Sequence, residues 1–480
     1  MLKKLARISE RFEVYLYAIP FMLHVLMLNV HFLLGSLYKP NIIYTTLNVL
    51  VAMAVFFWAA YTVLKLWMHE KPSRKYLMRL VPVLLFFTAC YAIALARFGF
   101  YSGILMQAKP FILYAPTAVL VGGLVGIKAG EADFFDKAEW FTVISIPVAL
   151  NYVIMLFTNT SPFTNGGIGI ADYMNLSYAY MPLLFTLVIQ MARGKSGFLF
   201  IKGQRKAYLI RSVLIILIWM LILGCATRGT ILCVLVFFVL LIAYLFFMKL
   251  YKAEYMKKLF LVFGIIVLQF ITFTYVFTPE GLIRLERVNH FTGSLKEGEV
   301  ETARDAPGVK EYGLDKLVNN LSPTYAVDLE KAGIDYTTLD NAWIIGYTIK
   351  DRVTIYNLAW KEAVKRPFTG MGPFGFIAKY GNYPHNFVLE LFTDLGFIIG
   401  SAVLLIIVLC FLKLVINCGK DSNMGFVLVF LCGYVGSLMI SGTVWSQPSL
   451  LFGIAYSLCY IPARGAVPCL KLRNERSGCD

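Results

Sequence analysis

The chain has 480 residues, of which 59% are hydrophobic and 15% are charged, and its mean hydropathy is +0.70. A soluble domain is nearer half apolar and a quarter charged, so this composition indicates that lipid is the main solvent. The apolar stretches are continuous rather than alternating, which excludes a membrane-spanning barrel and favours helices. The expected fold class is therefore all-α, a polytopic helical bundle in a membrane.

Twelve apolar runs predict twelve transmembrane helices, because a bilayer core of about 30 Å needs about 20 apolar residues per helix. The N-terminus is basic and then apolar, but no small-residue cleavage site follows, so it predicts a first span rather than a signal peptide. The predicted spans are 13–34, 43–66, 79–98, 108–127, 139–158, 173–192, 209–226, 230–249, 258–278, 387–413, 424–441 and 446–463.

These spans divide the chain into four parts. Helices 1 to 9 occupy 1–278, a large hydrophilic loop occupies 279–386, helices 10 to 12 occupy 387–463, and a basic tail occupies 464–480. The loop is too long for a simple connector. We expect it to be partly helical, notably over 350–366, and to cover one mouth of the bundle.

The formal net charge of +16 is unevenly distributed. Residues 279–384 hold 13 Lys and Arg against 14 Asp and Glu, whereas the rest of the chain holds 31 against 14. The excess lies in short segments between spans, where positive charge retains a loop in the cytoplasm. We therefore expect both termini to be cytoplasmic and the large loop extracytoplasmic. The charge is a determinant of topology, and no nucleic acid is expected as a partner.

Nine cysteines are present, but none lies in 279–384 and none forms a C-x-x-C pair. The sequence therefore predicts neither a disulfide framework for the loop nor a metal site built on cysteine. No cofactor is expected.

Arg228 is the first candidate functional residue. It lies in CATRGT, between two apolar runs, at the predicted outer boundary. A charge within a span costs about 2.5–3.5 kcal/mol, so such residues are candidates for function. A guanidinium can bind a phosphate group bidentately, through two parallel hydrogen bonds. The alternative is that Arg228 reaches outward to lipid headgroups, which is also the interpretation of Arg97 near the same face.

His385 is the second candidate, because it stands where the large loop re-enters the membrane. Asn386 follows it, and Glu390 and Asp394 are spaced for one face of the next helix. A neutral imidazole near carboxylates suits a general base that acts on a hydroxyl. The alternative is that both carboxylates merely complement the dipole of the helix N-terminus.

Three passages occur in a characteristic order: Arg228 in TRGT, Arg352 in DRVTIYNLAWKEAVKRPFTGMGPFGF, and His385 in PHNFVLELFTDLGFIIG. In this order, and in the layout of twelve spans with a large outer loop, the chain resembles the O-antigen ligase and O-antigen polymerase superfamily of bacterial envelope enzymes. The resemblance covers the layout of the whole chain, and motif identity covers mainly 225–232 and 350–400.

The resemblance implies a metal-independent glycosyltransferase of the bacterial inner (plasma) membrane that uses an undecaprenyl-diphosphate-linked glycan as donor. Arg228 and Arg352 would hold the diphosphate, and His385 would activate the acceptor hydroxyl. Asn386, Glu390 and Asp394 complete the expected substrate site. Membrane lipids, a glycan or lipid-linked acceptor and a chain-length regulator are the implied partners.

Several alternatives remain open at this stage. A polymerase adds glycan to another lipid-linked repeat unit, whereas a ligase adds it to a different acceptor. Gly400 falls one place later than the usual ligase spacing after Gly396, which favours the polymerase. A flippase or exporter of lipid-linked oligosaccharide has a similar number of spans, but usually shows internal symmetry or broken helices. A metal-dependent transferase with acids in its first outer loop is disfavoured, because 35–41 contains none.

Overall fold

The computed structural model describes residues 2–33, 42–99, 102–128, 134–157, 167–168, 171–225, 227–248, 253–276, 349–380, 383–418, 422–439 and 442–461. Residues 279–348, which are most of the predicted large loop, and the predicted basic tail lie outside these ranges. The side chains of Arg228 and Arg352 also lie outside the described part, although their backbone does not.

The described chain is mostly helical, which confirms the all-α class for this part of the protein. The α-helices are α1 (Leu2–Leu33), α2 (Ile42–His69), α3 (Lys71–Leu77), α4 (Leu80–Phe98), α5 (Ser102–Ile127), α6 (Phe134–Ile144), α7 (Ile146–Phe157), α8 (Tyr173–Ala192), α9 (Gln204–Gly224), α10 (Arg228–Phe247), α11 (Ala253–Val276), α12 (Ile349–Lys365), α13 (Gly375–Tyr380), α14 (Phe387–Cys418), α15 (Ser422–Val435) and α16 (Pro448–Cys459).

Short elements complete the described structure. Two 3-10 turns cover Gly436–Met439 and Val444–Ser446, between α15 and α16. Two small antiparallel hairpins pair β1 (Gly167–Ile168) with β2 (Ala171–Asp172) and β3 (Gly197–Phe198) with β4 (Ile201–Lys202).

Five described segments are long and apolar enough to cross a membrane: Thr46–His69, Ser73–Phe98, Gln204–Gly224, Gly229–Phe247 and Phe387–Cys418. Six shorter apolar helices accompany them: Tyr15–Val30, Tyr114–Ile127, Leu176–Ala192, Leu259–Ile271, Met424–Met439 and Pro448–Cys459. The chain is thus consistent with a membrane protein. The total of twelve spans and their orientation stay predictions.

The predicted span 139–158 is not one continuous helix, because it divides at Ser145 into α6 and α7. Pro147 lacks the N–H that would continue the helical hydrogen bonds. The amide of Val148 instead donates to Asn29 Oδ1 at 3.2 Å, and the Tyr180 hydroxyl donates to the Ser145 carbonyl at 2.8 Å. Fully buried side chains of α1 and α8 therefore satisfy the backbone groups at the break.

Close packing of α5 against α16 lies at the centre of the bundle, and α1 packs on both helices. Gly122 and Gly126 are four residues apart on α5. A Cβ on Gly122 would lie 2.5 Å from the Phe452 carbonyl oxygen, and one on Gly126 would lie 2.6 Å from that of Tyr456. Small residues at this spacing let membrane helices approach at backbone distance.

Contacts between antiparallel helices define two ends of the bundle. We call one the histidine end; it contains the N-termini of α10, α14 and α16 and the C-terminus of α4. At the opposite end, Arg79 and Lys413 donate to the C-terminal carbonyls of α16. Arg193, at the end of α8, lies over the ring of Phe426 at this same end. Cations there complement the negative pole of the helix dipole.

Candidate functional site

His385 is half-buried at the histidine end, immediately before α14. Its backbone has φ +56°, in the left-handed region that non-glycine residues rarely adopt. The hydroxyl of Tyr356 donates to the His385 carbonyl at 3.4 Å, and the ring of Tyr383 lies 4.3 Å from the imidazole, centroid to centroid. The backbone strain, on the order of 1–2 kcal/mol, is therefore offset by neighbouring contacts.

Asn386 caps α14. Its amide oxygen accepts hydrogen bonds from the backbone N–H groups of Val388 at 3.1 Å and Leu389 at 3.2 Å. Asparagine is among the preferred N-cap residues because it satisfies these N–H groups, which have no partner within the helix. The amide nitrogen donates to the Met439 carbonyl at 3.5 Å. Asn386 therefore fixes both the start of α14 and the direction in which the chain leaves His385.

Glu390 lies one turn into α14 and is 1% exposed. One carboxylate oxygen accepts from the Thr443 hydroxyl at 2.5 Å, and the other accepts from the backbone N–H of Val444 at 2.8 Å. A carboxylate offers two oxygens with about four acceptor positions, so it can hold several donors at once. Glu390 in this way fastens the 3-10 turn Val444–Ser446 to α14.

Asp394 lies one turn further and is also 1% exposed. Its carboxylate accepts from the backbone N–H groups of Phe374 at 3.0 Å and Phe376 at 3.2 Å, and from the indole N–H of Trp445 at 2.9 Å. We call Glu390 and Asp394 together the carboxylate clamp. Their predicted contact with substrate stays a prediction. The structure gives them a framing role, since they hold two segments against the helix that follows His385.

The glycine-rich passage after α12 crosses α14 at backbone distance. Gly370 and Gly396 both have positive φ, +61° and +76°. A Cβ on Gly370 would lie 2.5 Å from the Asp394 carbonyl, and one on Gly396 would lie 2.7 Å from that of Phe368. Two backbone hydrogen bonds of 2.7 Å, Met371 N–H to the Thr393 carbonyl and Phe397 N–H to the Pro367 carbonyl, close the crossing. Glycine is required here by both φ and space.

Arg228 begins α10, and its backbone lies at the histidine end. Thr230, two residues on, shares a buried 2.8 Å hydrogen bond with Ser177 of α8. In the next turn, Cys233 lies against Gly436 in the 3-10 turn Gly436–Met439. Since Asn386 donates to Met439 of that same turn, the N-termini of α10 and α14 both contact it.

Arg352 lies in the first turn of α12, four residues before Tyr356. Residues at this spacing share one face of a helix. Tyr356 is the residue whose hydroxyl reaches the His385 carbonyl. The backbone positions of Arg228, Arg352 and His385 are therefore at one end of the bundle, and the side chains of the two arginines lie outside the described part.

Several residues of the histidine end were not found by sequence reasoning. Trp445 is fully buried, and its carbonyl accepts from the Tyr91 hydroxyl at 3.0 Å. The ring of Phe374 lies between them, 4.5 Å from Tyr91 and 5.0 Å from Trp445. Arg97, interpreted from sequence as reaching toward lipid, donates to the Met371 carbonyl at 2.6 Å. The available signal in the sequence was a tryptophan between two apolar spans, because the indole N–H of a buried tryptophan needs a hydrogen-bond partner.

Among the described residues, no three His, Cys, Asp or Glu side chains are grouped to hold a metal ion. No protein-family model and no curated protein matches the chain. The resemblance to O-antigen ligases and polymerases thus stays an expectation from the sequence passages and the predicted layout, and the site is described by its own geometry.

Proposed function

We propose that this chain is a membrane glycosyltransferase that polymerises repeat units of a bacterial surface polysaccharide, of O-antigen or capsule type. The donor is an undecaprenyl-diphosphate-linked glycan at the outer face of the inner membrane. One observation carries the proposal: the start of α10, the first turn of α12 and His385 lie together at the histidine end. These elements carry Arg228, Arg352 and the imidazole of His385, the three residues on which the proposal depends.

His385 is the general base in this proposal. Its imidazole takes the proton of the acceptor hydroxyl, whose oxygen attacks the anomeric carbon of the donor glycan. The bond between that carbon and the diphosphate oxygen breaks, and undecaprenyl diphosphate leaves with the electron pair. Arg228 and Arg352 stabilise the charge that develops on the diphosphate. Tyr356 and Asn386 position His385, since Tyr356 donates to the His385 carbonyl and Asn386 caps the helix that begins directly after it.

An exporter of lipid-linked oligosaccharide is the second candidate, and the break between α6 and α7 is the observation that favours it. Broken helices mark binding sites in transporters when their exposed backbone lines a cavity. Here Asn29 and Tyr180 occupy the backbone groups at the break, and both side chains are fully buried. The break therefore has a structural explanation, and the transferase remains the better-supported function.

The test uses the full-length protein in proteoliposomes with a lipid-linked repeat unit as the only glycan. We expect His385→Ala to lower glycan transfer about 10²–10⁴-fold, the usual contribution of general base catalysis, while donor binding persists. His69→Ala is the matched control, because His69 is exposed at the opposite end. Full transfer by His385→Ala would overturn the proposed role.

The arginines are tested in the same assay by donor binding. Arg352→Ala should weaken donor binding and transfer together, whereas Arg205→Ala, at an exposed arginine of the opposite end, should change neither. The products identify the reaction. Longer lipid-linked glycan without a second acceptor indicates a polymerase, product only with a second acceptor indicates a ligase, and translocation without new glycosidic bonds indicates an exporter.

A further inference from the structure

Helix α12 has three distinct faces. One face packs on α14 and is buried, with Ile355, Ala359 and Ala363 along it. A second face is apolar yet exposed: Trp360, Val364 and, just past the helix end, Phe368 are 50%, 52% and 69% exposed at a spacing of four residues. The third face is polar and exposed, and it carries Asn357, Lys361 and Lys365, with Arg366 directly following. The Lys365 side chain remains 62% exposed while its ammonium pairs with the buried carboxylate of Glu362 at 3.2 Å, which Lys379 also contacts.

The exposed apolar face is continuous with the exposed surface of α14. The ring of Trp360 lies 5.6 Å from that of Phe397, centroid to centroid, and the Phe397 N–H donates to the Pro367 carbonyl at 2.7 Å. Ile398 and Ile399 follow on α14 and are 62% and 48% exposed. An apolar stripe therefore runs from α12 across Phe397 onto the lipid-facing side of a helix long enough to span a membrane.

The point at which the apolar stripe meets α14 indicates how deep the stripe lies in the bilayer. Before Gly396, α14 carries the buried carboxylate clamp; after it, no charged residue occurs until Lys413. The stretch 397–418 is about 33 Å long at 1.5 Å per residue, which matches a hydrocarbon core of about 30 Å. The hydrocarbon boundary on this side therefore lies near Gly396, at the level of Trp360 and Phe368.

We propose that α12 and the turn through Phe368 form an interfacial element that lies on the phospholipid bilayer. Trp360, Val364 and Phe368 enter the boundary between headgroups and acyl chains, and Lys361, Lys365 and Arg366 bind phosphates of anionic lipids. Amphipathic helices with aromatic residues on one face and lysine or arginine beside it bind membranes in this way. The proposal requires that α14 spans the membrane, and it is independent of glycan transfer.

A bilayer fits this surface better than a protein partner does, for two reasons. The apolar stripe continues an apolar surface that a membrane-spanning helix must present to lipid. Lys361 and Lys365 also lie beside it on the exposed polar face, as the headgroup layer requires, and tryptophan is enriched at this depth. Since α12 is also the helix of Arg352 and Tyr356, its attachment to the membrane sets the height of the candidate site.

Spin labels test the depth of the stripe. Val364→Cys and Lys361→Cys are labelled with a nitroxide in the full-length protein in nanodiscs with phosphatidylglycerol, with Cys469 and Cys479 replaced by serine. The seven described cysteines are buried or half-buried, and the otherwise unmodified chain gives their background. We expect the Val364 label to collide several-fold more with oxygen than with a nickel chelate, and the Lys361 label to show the reverse.

Two results would overturn the proposal. A Val364 label as accessible to the nickel chelate as the Lys361 label would place the stripe in water. Exclusion of both reagents at Val364 would show that protein, either a second copy or another part of this chain, covers it.

A charge variant tests the headgroup contact. Replacement of Lys361, Lys365 and Arg366 by glutamine should lower the enrichment of phosphatidylglycerol over phosphatidylcholine around the protein, about fivefold per charge removed. Lys202→Gln, at an exposed position of the opposite end, is the control. Unchanged enrichment in the triple variant would rule out the proposed phosphate contacts.

Discussion

The carboxylate clamp at the histidine end and Glu139 at the opposite end are buried carboxylates that accept from different kinds of donor. At the histidine end, every described donor to Glu390 and Asp394 is neutral: backbone N–H groups, a hydroxyl and an indole. At the opposite end, Glu139 accepts from the guanidinium of Arg211 at 2.8 Å and the ammonium of Lys195 at 3.1 Å. All three carboxylates are nearly inaccessible to solvent.

The difference follows from what each carboxylate joins. Arg211 and Glu139 lie on regular helices, α9 and α6, whose backbone groups are already paired, so side-chain charges make the connection. Arg211 also contacts Gln190 and the carbonyls of Lys195 and Gly197, which secures the β3–β4 hairpin. At the histidine end the carboxylates meet irregular segments, whose N–H groups need an acceptor. Glu139 thus joins α6 to α9 through charge and also accepts from the Leu199 backbone N–H of the β3–β4 hairpin at 2.8 Å, whereas every described donor to the carboxylate clamp is neutral.

Removal of the ion pair between Glu139 and Arg211 should cause the largest loss in the free energy of unfolding. Glu139→Ala leaves the guanidinium of Arg211 buried without its carboxylate, and breaking a buried pair costs about 3–5 kcal/mol. We expect that loss in the free energy of unfolding, measured by titration with denaturing detergent in mixed micelles. Lys202→Ala, on the exposed face of the neighbouring hairpin, should change it little. Equal stability of Glu139→Ala and the parent would contradict the comparison at this end.

A change in the carboxylate clamp should cause the next largest loss in the free energy of unfolding. Asp394→Asn removes the charge and turns one of the two acceptor oxygens into an amide nitrogen that faces one or two of the three donors. Hydrogen bonds to charged groups contribute about 1.5–3 kcal/mol each, so a loss of about 2–3 kcal/mol is expected. Trp445→Phe removes the indole N–H that donates to Asp394 and leaves a smaller aromatic ring in its place. A double-mutant cycle should give a coupling energy on the order of 1 kcal/mol, because the two side chains share a hydrogen bond. Strict additivity would show that the indole contact contributes nothing.

A substitution where the glycine-rich passage crosses α14 should lower the free energy of unfolding least. Gly396→Ala adds a Cβ 2.7 Å from the Phe368 backbone at a residue with φ +76°, and strain of this kind costs about 1–3 kcal/mol. Gly264→Ala in α11 is the matched control, because nothing lies within 4 Å of its Cβ position. That control should stabilise the protein by up to about 1 kcal/mol through helix propensity. If both substitutions had the same effect, the crossing would not be tight.

Local sequence predicted the helices well, because their signal is contained in consecutive residues. The predicted span 173–192 coincides with α8, ten other predicted spans overlap described apolar helices, and 139–158 is divided between α6 and α7. The break at Ser145 was foreseeable from Pro147, but its partners Asn29 and Tyr180 are distant in sequence. Gly122 and Gly126 form a small-xxx-small pattern that sequence reasoning overlooked, and the structure shows that it places α5 against α16.

For the site, sequence alone determined which residues carry charge at the ends of apolar runs, and that Glu390 and Asp394 share a helical face. Burial in lipid makes every such charge conspicuous, since it must be paired or functional. Only the tertiary structure decided that Glu390 holds Thr443, that Asp394 holds Trp445, and that Arg211 belongs to a buried ion pair. The physical reason is that a hydrogen bond depends on where a partner lies in space, and helix packing, rather than spacing along the chain, sets that position.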